Sequence, residues 1–314
     1  MAAPRQDTTD DKERFTGILA DFIRLTAICL PDDVEEALRH LAEREEDSRA
    51  KALYKSMTDN VALAGKLQRP VCQDTGVLQF FVECGYDFPY RHLIKDVLVD
   101  ASVLATARTP LRPNAVEPLS EHNTGTNTGF GAPYITWEMR EGRDCNIRIY
   151  MAGGGCSLPG GSKVLMPLEG IQGIRDFVAE TVLERGINAC PPLIVGVGLG
   201  TCAVTSAELS KKALLRPIGS TASLPAAREL EAQLKKDLNR IGIAPLGFGG
   251  SESVLAVHVE ACAHHPATLG VGISTGCWAT RRGEIIFAED LSYDIRSHAQ
   301  YDKYMRLLTG EDPE

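Results

Sequence analysis

The chain has 314 residues, 44% hydrophobic and 24% charged, which is typical of a globular protein with a full core in one domain or two lobes. Its net charge of −9, without a basic stripe of interleaved aromatic residues, argues against a nucleic-acid partner. No apolar run approaches the roughly 20 residues that cross a bilayer, and nine cysteines without a signal sequence favour a reducing compartment, so we expect a cytoplasmic protein without a membrane partner.

Hydrophobic periodicity predicts a mainly helical first hundred residues, followed by mixed helices and strands. In chain order the predicted elements are helices over 15–23 and 33–57, a strand over 77–83, a helix over 93–107, strands over 134–137 and 146–151, a helix over 171–185, a strand over 193–199, helices over 203–215, 224–240 and 251–258, and strands over 269–273 and 284–288 that form a hairpin. The expected fold is a single mixed α/β domain with two lobes and a helical N-terminal region. It spans residues 12–295, between a flexible N-terminus (1–11) and a C-terminal tail (296–314).

Three cysteines lie in or beside runs of Gly, Pro and Thr, the residues of turns: Cys72, Cys190 and Cys277. The first two precede predicted strands and the third follows one, so the ends of a sheet can bring them together. Three thiolates around a metal group would leave one position open for substrate. The competing interpretation is that isolated cysteines are inert core or surface thiols. It suits best the five cysteines in or beside apolar stretches, which are Cys29, Cys84, Cys145, Cys202 and Cys262, whereas Cys156 is intermediate.

Charged residues near these turns are the other candidates. Asp74 is either an acid or base, or a turn residue that caps its own backbone. The Pro-, Asn- and Gly-rich segment 109–133 is a long connection of the kind that is usually functional or disordered. Within it, Arg112 either clamps a carboxylate bidentately or is simply solvated. Arg281 and Arg282 have the same two interpretations, or they lower the pKa of a nearby thiol.

The glycine-rich segments do not favour a nucleotide. The triplet Gly153-Gly154-Gly155 lacks the spacing of a phosphate-binding loop. The pattern Gly198-x-Gly200-x-x-Ala203 fits only a relaxed dinucleotide motif, and no acidic residue follows about twenty residues later. Backbone N–H groups in such turns can still bind carboxylate oxygens.

Longer motifs resemble the class I iron–sulfur fumarase family of hydro-lyases, in its two-subunit form, over roughly Phe15 to Ser292. The motifs that carry the resemblance are Arg69-Pro70-Val71-Cys72-Gln73-Asp74-Thr75-Gly76, Asn123-Thr124-Gly125-Thr126-Asn127-Thr128-Gly129, Met151-Ala152-Gly153-Gly154-Gly155-Cys156-Ser157-Leu158-Pro159, Cys190-Pro191-Pro192, Lys211-Lys212-Ala213-Leu214-Leu215-Arg216-Pro217-Ile218-Gly219 and Ser274-Thr275-Gly276-Cys277-Trp278-Ala279. The Gly-Gly-Gly-Cys and Cys-Trp forms are closer to the tartrate-dehydrating members than to the fumarases.

The resemblance implies a [4Fe–4S] cluster whose fourth iron has no protein ligand and acts as a Lewis acid on the substrate. Carried over to this sequence, the implied residues are the cluster ligands Cys72, Cys190 and Cys277, the catalytic residue Asp74, and the substrate contacts Gln73, Arg112, Gly154 and Gly155.

The resemblance also implies a partner. In the fused members a second domain completes the active site, so we expect a β subunit here, in an α2β2 heterotetramer. The implied reaction is dehydration of the dicarboxylate L(+)-tartrate to oxaloacetate and water. One alternative is the α subunit of a class I fumarase or a related dicarboxylate hydratase, and a second is a non-catalytic cluster-binding subunit.

Overall fold

The structure, a computed structural model, describes residues 9–299 and divides them into two compact units. Unit 1 consists of the described residues up to Asp32, residues Asn60–Ala152, and the described residues from Arg281 onward. Unit 2 consists of Asp33–Asp59 and Gly153–Thr280. The predicted terminal segments 1–11 and 296–314 lie largely outside the described residues, and the first helix begins at Thr9.

The helices are α1 Thr9–Ile28, α2 Asp32–Arg44, α3 Ser48–Leu67, α4 Ile94–Arg108, α5 Gly154–Ser157, α6 Gly170–Arg185, α7 Ala203–Ala213 and α8 Pro225–Asn239, with short 3-10 turns at Pro167–Glu169 and Gly186–Ala189. The strands are β1 Val77–Gly85, β2 Tyr134–Arg140, β3 Cys145–Ala152, β4 Gly161–Leu165, β5 Leu193–Gly200, β6 Val254–Ala261, β7 Leu269–Gly276, β8 Arg282–Phe287 and β9 Tyr293–Ile295. The mixed α/β fold and helical N-terminal region are confirmed. Three predicted features are wrong: a single helix over 33–57, which the structure divides into α2 and α3, a helix over 251–258, and a hairpin over 269–288.

Unit 1 is built on a five-stranded sheet in the order β2-β1-β3-β8-β9. β1 and β2 are parallel and the other pairs are antiparallel. Helices α1 and α4 pack together, and α1 also contacts β8, so a single apolar core fills this unit. Within the core the rings of Phe15 and Phe287 meet edge to face at 4.8 Å between centroids.

Unit 2 contains a four-stranded sheet in the order β4-β7-β5-β6. The segment predicted as a helix over 251–258 is β6, which pairs in parallel with β5. All residues from Val254 to Val259 are buried, because β6 lies inside the unit. A strand covered on both faces has a continuous apolar sequence, and periodicity alone does not distinguish it from a buried helix.

The last two predicted strands do not form a hairpin. β7 belongs to the unit 2 sheet, whereas β8 pairs with β3 and β9 in unit 1, with Phe287 opposite Cys145. Ile285 and Phe287 are fully buried in the unit 1 core. The prediction failed because it assumed that neighbouring strands pair, whereas the chain changes unit between Thr280 and Arg281.

The glycines of β5 and β7 make room for helix α7. A Cβ atom on Gly198 would lie 2.0 Å from the backbone oxygen of Ser206, and one on Gly272 would lie 2.3 Å from the same atom. Because real Cβ atoms never approach so closely, α7 can lie against this sheet only where glycine occurs. The pattern that weakly resembled a dinucleotide motif therefore serves helix–sheet packing.

Changing Gly272 to alanine is expected to lower the free energy of unfolding by about 3 kcal/mol, because the new methyl group must displace the backbone of α7. The matched control is Gly161→Ala, also in a strand of this sheet, where a Cβ atom would meet nothing within 4 Å. Urea denaturation of both variants measures the effect. Equal midpoints for the two variants would contradict the close packing of α7.

In the part of the chain that the structure describes, no helix is both long and apolar enough to cross a membrane.

Candidate functional site

All nine cysteines are thiols, and none forms a disulfide. Cys29, Cys84 and Cys145 are buried in unit 1, whereas Cys202 and Cys262 are exposed. These five therefore occupy the core and surface positions that their apolar surroundings predict. The other four cysteines lie in turns or near the ends of helices and strands; they are Cys72, Cys156, Cys190 and Cys277.

The turn that contains Cys72 lies at the edge of unit 1 where β1 begins. The backbone N–H of Val71 donates to the carbonyl of Ala27 at 3.0 Å, which fixes the turn to the end of α1. At its other end Gly76 has φ 80, and a Cβ atom there would lie 2.7 Å from the backbone of Met151. The Cys72 side chain between these anchors is partly exposed and Gln73 is exposed. The turn is therefore anchored at both ends, with Cys72 and Gln73 accessible between the anchors.

Asp74 takes part in the turn that surrounds it. Its Oδ1 accepts a hydrogen bond from the backbone N–H of Gly76 at 3.0 Å and one from Nδ2 of Asn114 at 3.2 Å. The capping role considered from sequence is therefore present. Asp74 is also half-buried, and its catalytic role stays a prediction.

The long connection between α4 and β2 is ordered by polar side chains. It contains only isolated bridges, Val116 with Asn123 and Gly129 with Ala132. The carbonyl of Arg112 accepts hydrogen bonds from Oγ1 of Thr75 at 3.2 Å and from Nδ2 of Asn127 at 3.1 Å. The Arg112 backbone is thus attached directly to the Cys72–Gly76 turn. Its side chain is exposed.

In unit 2, Cys190 and Cys277 lie at the same end of the sheet. β5 begins just after Cys190 and β7 ends just before Cys277, and these strands are antiparallel. The backbone N–H of Trp278 donates to the carbonyl of Cys190 at 3.2 Å. Cys190 is exposed and has the left-handed φ of 52, a conformation that non-glycine residues rarely adopt and that concentrates at functional sites.

The glycine triplet meets the same end of unit 2. A Cβ atom on Gly155 would lie 2.6 Å from the carbonyl oxygen of Asn188, two residues before Cys190. Oγ1 of Thr275 donates to the carbonyl of Cys156 at 2.6 Å, which ties α5 to β7. The segments that carry Gly154, Gly155, Cys190 and Cys277 are therefore neighbours within this unit.

Lys211 adds a positive charge to this part of unit 2. Burial lowers the pKa of its ammonium group, and the nearby Cys156 thiol acts in the opposite direction. Lysines with a lowered pKa occur often at functional sites. The sequence analysis did not assign this residue a function, although Lys211 begins one of the motifs that carry the family resemblance.

Arg281 and Arg282 are not surface residues, since their exposed fractions are 2% and 4%. Nε and Nη1 of Arg281 have no hydrogen-bond partner among the described residues. The N–H of Met151 donates to the Arg281 carbonyl at 3.0 Å, and Met151 lies opposite Leu78, so Arg281 is at the end of the sheet where β1 begins. A buried guanidinium with unsatisfied donors is costly without an anion nearby.

Residues 9–299 contain no group of three or more His, Cys, Asp or Glu side chains that would hold a metal ion. A single ion draws its ligands to within about 2.3 Å of one point. A four-iron cube instead binds each sulfur at a different corner. The absence of such a group therefore concerns sites for a single metal ion and does not test a cluster site. The ligand roles of Cys72 in unit 1 and of Cys190 and Cys277 in unit 2 stay predictions.

Comparison with known proteins identifies the family. The family model described as Fumarate hydratase (Fumerase) matches residues 16–286. The L(+)-tartrate dehydratase subunit alpha of Escherichia coli O157:H7 and that of Escherichia coli strain K12 are each 48% identical over 288 residues, which is 91% of this chain and 95% of theirs. A putative L(+)-tartrate dehydratase subunit alpha of Methanocaldococcus jannaschii is 37% identical over 273 residues, 86% of this chain and 96% of its own. The resemblance found in the motifs is confirmed: the chain belongs to the fumarate hydratase (Fumerase) family and is an enzyme of the hydro-lyase class.

Proposed function

We propose that this chain is the α subunit of a heteromeric L(+)-tartrate dehydratase that holds a [4Fe–4S] cluster through Cys72, Cys190 and Cys277. The observation that carries the proposal is the 48% identity, over 91% of the chain, to proteins named as the alpha subunit of that enzyme. Because the match covers nearly the full length of those relatives, it includes every motif from which the sites were predicted.

The residues present fit such a cluster. Cys190 and Cys277 are thiols at one end of the unit 2 sheet, and Cys72 is a partly exposed thiol in an anchored turn of unit 1. Thiolates are the usual protein ligands of iron–sulfur clusters. Thiolates and sulfide carry negative charge, and the buried guanidinium of Arg281, with Nε and Nη1 unsatisfied, suits an anionic neighbour.

The reaction removes a proton from one carbon of tartrate and hydroxide from the next, and the enol product rearranges to oxaloacetate. Both steps are difficult, since the C–H group beside a carboxylate is a weak acid and hydroxide is a poor leaving group. When bound, the cluster supplies a Lewis acid at its open iron.

The chain's own residues bind and orient the substrate. The exposed guanidinium of Arg112 has the fork that holds one carboxylate bidentately, and this holding limits the motion of the reacting carbons. The backbone N–H groups of Gly154 and Gly155 lie at the start of α5, close to Cys190, where they suit a carboxylate oxygen. We assign Asp74 a proton transfer with the substrate and Gln73 a hydrogen bond to the substrate hydroxyl, and their membership of the anchored Cys72 turn supports this assignment.

A second subunit supplies the rest of the site. The relatives are named as alpha subunits, which implies a complementary chain. By the resemblance to fused members, that chain supplies the base and further cations, in an α2β2 assembly. We propose a cytoplasmic location, where free thiols persist.

The isolated chain is expected to be inactive even with an intact cluster, because the residues that complete the site belong to the partner. The test is an anaerobic purification of this chain alone and of the co-expressed pair, each assayed for oxaloacetate formation from L(+)-tartrate after its iron and sulfide have been measured. Dehydration by the isolated chain at the rate of the pair would contradict the proposed division of the site.

Fumarate hydration is the second candidate, and the description of the matching family favours it. Malate and tartrate differ by one hydroxyl group, and a site built to hydrogen-bond a hydroxyl rejects the analogue that lacks it. Assays of the pair on L-tartrate, D-tartrate, malate and mesaconate decide between the two. A kcat/KM for L-malate that exceeds that for L(+)-tartrate would replace tartrate dehydration by the fumarase reaction.

A further inference from the structure

We propose that Asn127 is a positioning residue that holds the Arg112 segment against the Asp74 turn. The proposal rests on the proposed function in that Arg112 and Asp74 are taken to meet the substrate. Asn127 itself contacts neither the substrate nor the cluster in this account. It acts through the backbone of two other residues.

The side chain of Asn127 uses both ends of its amide. Oδ1 accepts a hydrogen bond from the backbone N–H of Asn114 at 2.7 Å. Nδ2 donates to the carbonyl of Arg112 at 3.1 Å and to Oγ1 of Thr106 at 3.1 Å. Two backbone groups on either side of Pro113 are therefore fixed by one side chain, which is 2% exposed.

Through its hydrogen bond to Asn114, Asn127 is also connected to the Asp74 turn. Nδ2 of Asn114 donates to Oδ1 of Asp74 at 3.2 Å and to the carbonyl of Gly76 at 3.1 Å. Two amides in series, Asn127 and then Asn114, thus connect the long loop to the turn. Without the amide of Asn127, the backbone N–H of Asn114 loses its acceptor. The Asn114 side chain that donates to Asp74 is then less well held.

Asparagine is the residue that suits this position. Asn127 has φ 58, in the left-handed region that asparagine enters more easily than most other residues. Its amide supplies one acceptor and two donor hydrogens, and both kinds of group are used here. Aspartate lacks the donors, and glycine keeps the backbone conformation but lacks the whole amide.

The position of Arg112 matters because its guanidinium speeds the reaction only when it holds the substrate carboxylate in the reacting geometry. A displacement of about 1 Å, caused far from the reacting atoms, can cost about a hundredfold in rate. The Arg112 side chain is exposed and lies on a loop without regular pairing, so its backbone anchors define where it can reach. We expect Asn127→Gly to lower kcat/KM about ten- to a hundredfold and Asn127→Asp to fall between that variant and the wild type.

The experiment uses the co-expressed pair with Asn127→Gly, Asn127→Asp and the control Thr106→Val. The control removes the hydroxyl that accepts from the same amide and that donates to the carbonyls of Ser102 at 2.7 Å and Thr126 at 3.3 Å. It leaves the bonds of the amide to Arg112 and Asn114. Kinetics on L(+)-tartrate are measured beside amide hydrogen exchange at Gly76 and Asn114, which needs no substrate. The expected result is faster exchange and low kcat/KM in Asn127→Gly, with Thr106→Val within twofold of wild type in both.

Unchanged exchange at Gly76 and Asn114 in Asn127→Gly would overturn the proposal, whatever the activity of the wild type. Faster exchange with kcat/KM within twofold of wild type would overturn it as well, because the anchors would then not matter for turnover. An equal loss of activity in Thr106→Val would also overturn the proposal, because the effect would then come from general loosening of the loop. A wild-type pair that dehydrates no dicarboxylate contradicts the proposed function instead, and the exchange data separate that outcome.

Discussion

Replacing Cys72, Cys190 or Cys277 by serine is expected to abolish the visible absorbance of an iron–sulfur cluster and to reduce turnover to background. A serine hydroxyl is not ionised near neutral pH, so it is a poor substitute for the thiolate that binds iron. Iron and sulfide analysis with the absorption spectrum measures cluster content, and the dehydration assay of the co-expressed pair measures turnover.

The matched control is Cys156→Ser, because Cys156 also lies near the end of β7, where its carbonyl accepts from Thr275, but is given no ligand role. Cys202→Ser, at an exposed position, controls for the loss of any thiol. Both variants are expected to keep the cluster. Loss of the cluster in Cys156→Ser together with its retention in Cys190→Ser would show that the ligand set is wrong.

Arg112→Lys is expected to lower kcat/KM about ten- to two-hundredfold, with the melting temperature and cluster content nearly unchanged. Lysine keeps the charge but loses the planar fork that holds a carboxylate, and the lost charged hydrogen bonding is about 1.5–3 kcal/mol. We expect the fold not to depend on the exposed guanidinium, because Thr75 and Asn127 bind the carbonyl of Arg112 and not its side chain.

The control for this variant is Arg143→Lys, an exposed arginine of unit 1 that pairs with Glu289 at the surface. It is expected to behave as wild type, because exposed ion pairs contribute little. A large drop in the melting temperature of Arg112→Lys with unchanged turnover would make Arg112 structural. The carboxylate clamp would then be sought at Arg281, whose buried guanidinium has unsatisfied donors.

Local sequence patterns predicted most elements, because helical and strand periods are properties of short segments. The failures have physical reasons. β6 is buried on both faces, so it shows no alternation. Ser251, the first residue of the predicted helix, instead donates through its hydroxyl to Glu45 in unit 2. One of the two partners of β8 is β3, which lies far away in the sequence, and no short-range pattern contains that information.

The candidate site was predictable in its residue types but not in its supports. The motifs predicted roles for Cys72 and Asp74, and the family resemblance predicted one for Arg112. Nothing in their spacing showed the hydrogen bonds that Asn127 and Asn114 make beside them. Such bonds depend on tertiary contacts across 13 and 40 residues of sequence. Asn127 does appear in a motif, Asn123–Gly129, and an asparagine in such a Gly- and Thr-rich run is a signal for a left-handed turn position.

The central claim is that this chain holds a cluster with one iron open to substrate. It is tested most directly by Mössbauer spectroscopy of the anaerobic, 57Fe-labelled pair, before and after addition of L(+)-tartrate. The account predicts a spectrum of four irons in which one quarter of the intensity shifts when tartrate is added, and the shift is lost in the cluster-free Cys277→Ser variant. An active pair without iron, or one in which tartrate leaves every iron unchanged, would contradict the account.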